Sequence, residues 1–161
     1  MLVEWLTALQ EFAPVAALRS ARWTYAAVNA GHISGIAILF GAIVPLDLRL
    51  LGCFRQVPIR MLARVLVPVA AAGLTLAIAA GFLLFSIRAV QYAGTTLFQV
   101  KMALVVCGIA NAVLLCKAVA LEVACDDRLG MPPPRLRVAG ALSIALWLSV
   151  IFCGRFVAFV D

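Results

Sequence analysis

The chain has 161 residues, of which 66% are hydrophobic and 12% charged, with a formal net charge of +6. An average soluble domain is roughly 45–50% apolar and about 25% charged, so an ordinary water-facing surface is excluded; the length holds four bilayer crossings of about 20 residues each and no second, soluble domain. The arginines fall in short segments between apolar stretches, a placement that carries topology and does not mark a nucleic-acid surface.

The chain opens with Leu2 to Leu18, where Leu2, Leu6, Leu9 and Phe12 fall near helical spacing while Glu4, Gln10 and Glu11 lie off that stripe. This predicts an amphipathic helix lying in the membrane interface. Its first charges are acidic, whereas a cleaved signal peptide needs a basic stretch ahead of its apolar core, so a retained N-terminus is expected.

Four segments are then long and apolar enough to span: Trp23 to Leu46, Val65 to Ile87, Thr95 to Val119 and Val138 to Phe159. In lipid each backbone amide must be satisfied within its own segment, so these are helices. The expected fold is all-α, a polytopic four-transmembrane-helix bundle with an N-terminal interfacial helix, in one domain over residues 1–161.

In the first span Asn29 and His32 are three residues apart and share a face; His32 is the only histidine. Ala27, Gly31 and Gly35 repeat every four residues, and Gly73, Ala77 and Gly81 do so in the second span. Such ridges of small residues let helix backbones approach closely, so both belong at helix contacts. Pro45 marks a kink before the polar exit Asp47 to Gly52, and Pro68 falls in the first turn or so of the second span.

The third span carries Lys101, Gly108 and Asn111 along one stripe, with Lys101 nearly level with His32. The two are expected to face one cavity on the outer side. Asp47 with Arg49 is expected to form a structural ion pair at the inner end of the first span.

The connections are Gly52 to Met61, the tight Arg88 to Gly94, and Cys125 to Arg137, which holds Asp126, Asp127 and an extended run from Pro132 to Pro134. Counted on alternate sides, eight of the thirteen Lys and Arg residues lie with the first and third of these connections. That bias makes this side cytoplasmic and both termini periplasmic in a bacterial inner membrane. The five cysteines form no metal or haem-attachment spacing and read as small packing residues.

Polar groups at membrane depth are the best functional pointers, because burying one unpaired costs several kcal/mol. For His32 three readings stand: a hydrogen bond across the bundle, a cofactor or quinone contact, and proton handling. Lys101 either joins that site or lays its stem along apolar surface toward the interface. Asn111 is either interhelical glue or part of the site.

The stretch His32-Ile-Ser-Gly35, Gly41 and Asp47-Leu-Arg-Leu-Leu-Gly52, with Gly81 to Phe85, Phe98, Lys101 and Asn111, resembles the pattern of a family of small bacterial four-helix membrane proteins of unassigned function. More distantly, a histidine in the first span and a lysine opening the third resemble the copper-resistance D and HemJ-type membrane proteins. That resemblance implies haem b or copper, with His32 as the iron or metal ligand, Lys101 nearby, and Met102 or His32 of a second subunit completing an axial pair.

Two functions follow as expectations: a haem b- or quinone-associated electron-transfer or anchor subunit, or a structural, accessory subunit of a larger membrane complex. A homo-oligomer would fit either. A metal-ion or small-solute permease is the weaker reading, since inverted repeats and paired broken helices are missing. No nucleophile elbow, zinc-protease motif, P-loop or dinucleotide fingerprint is present, so catalysis of its own is not expected.

Overall fold

In a computed structural model, which describes residues 1–125 and 131–160, the chain forms helices α1 (Leu2–Glu11), α2 (Ala13–Ser20), α3 (Arg22–Leu51), α4 (Ile59–Ile87), α5 (Ala89–Gly94), α6 (Thr96–Cys125) and α7 (Pro134–Val160). No strand occurs among the described residues. Helices α3, α4, α6 and α7 are each long and apolar enough to cross a membrane.

The N-terminal segment is two helices and not one. Phe12 leaves helical geometry with ψ 126°, and Pro14, lacking an amide proton, begins the next helix within its first two residues. Val15 and Leu18 then pack with Ile87 at the end of α4, and the Gln10 side-chain amide donates to the Ile87 carbonyl. Val3, Trp5 and Phe12 remain exposed. The tight connection after Arg88 is itself a helical turn, α5.

The four long helices extend beyond their most apolar stretches. α3 continues past Pro45 to Leu51, and α4 begins at Ile59, directly after Pro58, which leaves Pro68 well inside the helix and not in its first turn. Ile59 is buried, and this tertiary contact nucleates a start that hydropathy alone places later. The proline run yields only in part to the helix: Pro134 takes the first position of α7, where its missing amide proton costs nothing. Asp126, Asp127 and Arg128 lie outside the described residues.

α3 is central: it packs extensively on α4 and on α7, while α6 packs mainly on α7. α4 and α6 lack such a backbone approach; among the described residues they meet at the N-terminal end, where Phe85 stacks on Phe98 with ring centroids 5.2 Å apart. The opposite end closes on Leu50, Ile59, Leu115, Val119 and Leu136, one cluster drawn from all four long helices.

The two small-residue ridges face each other. A Cβ placed on Gly35 would lie 2.5 Å from the Ala77 amide nitrogen, and one on Gly73 would lie 2.6 Å from that of Leu39. Only glycine permits this contact, and Ala27, the outermost member of the α3 ridge, stays exposed beyond it. The cysteines depart from the packing role expected of them: Cys53, Cys107 and Cys116 are exposed, and Cys153 is half-buried.

Candidate functional site

The close α3/α4 crossing positions His32. Gly35 and Gly73 bring the helices together, and one turn away the Nδ1–H of His32 donates to the Ala77 carbonyl at 2.8 Å. The Ala77 oxygen can only accept, so it fixes the ring's orientation and leaves Nε2 as the chemically available nitrogen. Gly81 makes the room: a Cβ there would lie 2.9 Å from His32 Cε1.

Lys101 approaches from α6. Its stem crosses the α6/α7 seam over Gly154, where a Cβ would lie 3.4 Å from both Cε and Nζ. Phe98, one turn before Lys101, stacks on Phe85, one turn after the Gly81 that meets the His32 ring, so Lys101 and His32 lie in the same half of the bundle. The stem lies on a neighbouring helix. Among the described residues no carboxylate pairs with Lys101.

The other two residues expected here do not join them. Asn29 is exposed one turn nearer the N-terminal end. Asn111 donates from Nδ2 to the Ala139 carbonyl on α7 at 3.2 Å, about 15 Å along α6 from Lys101. The stripe Lys101, Gly108 and Asn111 is therefore real as a surface, but its partner is α7: Gly154, Trp147 and Ala139 meet the three in turn.

Asp47 and Arg49 do not form the expected ion pair. Two residues apart on a helix, they project in different directions. Asp47, 1% exposed, accepts a hydrogen bond from the Ser143 hydroxyl on α7, and its Oδ2 has no hydrogen-bond partner among the described residues. Arg49, also buried, donates from Nε to the Val57 carbonyl at 2.8 Å and so ties down the loop leading to α4.

Gly52 completes this exit. With φ 103° it adopts the left-handed conformation; its amide bonds the Arg49 carbonyl and that of Cys53 bonds the Leu48 carbonyl, the paired bonds of a Schellman cap. The Asp47 to Gly52 stretch thus has a complete folding role: a tie to α7, a tie to the loop, and a helix stop.

For haem, His32 fits as one axial ligand, its far nitrogen fixed by a backbone contact. Met102, the other ligand expected within the chain, is exposed, and among the described residues no group of three or more His, Cys, Asp or Glu side chains gathers. A ligand needing one hydrogen-bonding nitrogen and one ammonium suits the pair better. Sequence reasoning missed Ser143, Trp147, Cys153 and Gly154, all on α7. Only Ser143 and Gly154 themselves, small or polar residues within the apolar stretch of α7, hinted at them.

Comparison of the chain with protein-family models, with curated proteins and with solved structures finds no match.

Proposed function

We propose that the chain is a bacterial inner-membrane protein crossing the bilayer four times, with both termini periplasmic, and that it binds a quinone as an electron-transfer or anchor subunit. The observation that carries this reading is the placement of His32 and Lys101 in the half of the bundle nearer the N-terminus, with no carboxylate on Lys101 among the described residues. A quinone carbonyl accepts hydrogen bonds from such groups, and burying an unpaired ammonium is costly without one.

The weakly packed α4/α6 seam supports lateral access from lipid, with Phe85 and Phe98 closing its outer end. The orientation rests on the charge bias: setting aside Arg49 and Lys101, one from each side, leaves the same excess of Lys and Arg.

The test is titration of the purified protein with decylubiquinone, read by tryptophan fluorescence, together with an absorption spectrum before and after dithionite. His32→Ala and Lys101→Met should each weaken binding by about tenfold or more, roughly 1.4 kcal/mol. A Soret band lost in His32→Ala would replace quinone by haem b. Absence of quinone binding and of a Soret band would leave the accessory-subunit reading, which the same seam favours, because a partner's helix would fill it.

A further inference from the structure

At the end of the bundle away from the N-terminus, an outward-facing groove of about 280 Å³ is lined by Leu51 of α3 and by Pro134, Arg137, Val138 and Ala141 of α7. Four of its walls are apolar. The fifth, Arg137, is half-buried, and its Nε is buried with no hydrogen-bond partner among the described residues. The Nε is covered by protein and out of a ligand's reach, but the terminal guanidinium nitrogens are not among the buried, unpartnered atoms, and a guanidinium fork beside an apolar wall suits phosphate oxygens.

From this groove we infer a binding site for an anionic phospholipid, with Arg137 on the headgroup phosphate and the acyl chain on α7. Val138, Ala141 and Leu142, all exposed, run from the groove toward the middle of the helix and form that track. The phosphate would depend on Arg137, because α7 offers few amides. Pro134 has none, and those of Leu136 and Arg137 bond the Pro133 carbonyl. Basic pockets at a cytoplasmic membrane face hold anionic headgroups in this way. The inference rests on the membrane-spanning reading above and is independent of the quinone.

The full chain, purified in detergent, would be mixed with equimolar phosphatidylglycerol and phosphatidylcholine of matched acyl chains, and retained lipid counted by native mass spectrometry. Wild type should retain phosphatidylglycerol over phosphatidylcholine by about tenfold, a charge-assisted preference. Arg137→Gln should abolish the preference, Arg137→Lys should keep part of it, and Arg55→Gln, at the same end outside the groove, should keep it all.

An unchanged preference in Arg137→Gln overturns the site, as does equal retention of both lipids by wild type. Loss of the lipid to millimolar inorganic phosphate would also overturn it, by showing a free-anion site. Alkaline carbonate extraction of the native membranes is run alongside. Release of the protein there would refute the membrane reading, whereas retention in the pellet with no lipid preference refutes the lipid site alone. A circular-dichroism melt of each variant separates lost binding from lost fold.

Discussion

Replacing Gly35 by alanine strikes the contact on which the His32 geometry depends. The added Cβ would lie 2.5 Å from the Ala77 nitrogen, 2.9 Å from its Cα and 2.9 Å from the Gly73 oxygen, all backbone atoms that cannot rotate away. Restoring ordinary van der Waals distance, about 3.5 Å, requires the helices to part by about 1 Å. The 2.8 Å bond from His32 to Ala77 would then stretch beyond the ~3.2 Å limit of a good hydrogen bond. Overpacking costs about 1–3 kcal/mol and a lost interhelical hydrogen bond about 0.6, against a gain of up to about 1 from the helix propensity of alanine. The expected net loss is about 1–3 kcal/mol.

Gly31→Ala is the matched control, because its Cβ would meet only the Ala80 Cβ, at 4.0 Å. It should be neutral or stabilising by up to ~1 kcal/mol. Reversible unfolding in mixed micelles measures both. The sole histidine makes [15N]histidine labelling a second readout, since a single ring reports the bond to Ala77. Equal stability of the two variants with an unchanged ring spectrum in Gly35→Ala would refute the reasoning.

Gly81→Ala places a Cβ 2.9 Å from the His32 ring, a side chain that can shift, so it should leave stability within about 1 kcal/mol of wild type while moving the ring resonance and weakening decylubiquinone binding. Gly52→Ala forces a φ of 103° on a residue with a Cβ and should cost about 1–2 kcal/mol in the same unfolding assay. Asp47→Asn keeps an acceptor for the Ser143 hydroxyl and should match or exceed wild-type stability, whereas Asp47→Ala should lose about 1–2 kcal/mol; equal damage from both would show that the carboxylate itself is needed. Asn111→Ala removes one interhelical bond and should cost about 0.6 kcal/mol with quinone binding intact; a binding loss would return Asn111 to the site.

Much of this molecule is legible in its residues. Four apolar runs long enough to span a membrane predict four helices, because an unpaired amide in lipid would be too costly for any open alternative, and four such helices are present. The glycine spacing of Gly31, Gly35, Gly73 and Gly81 marks the helix face that packs closely, since a four-residue repeat returns to the same side of a helix. The 1.5 Å rise by itself puts His32 and Lys101 at nearly the same expected depth.

Periodicity reports which face of a helix is special but not which helix it meets. That is why Asn111 shared a stripe with Lys101 yet bonds Ala139, and why Asp47 found Ser143 on α7 in place of its neighbour Arg49. The helix ends were likewise a tertiary matter: buried Ile59 extends α4, and Arg49 with Gly52 closes α3, past where hydropathy fades. Composition and spacing determined the elements and their close-packing faces; which polar groups meet was decided only by the order in which the four helices pack, with α3 and α7 side by side.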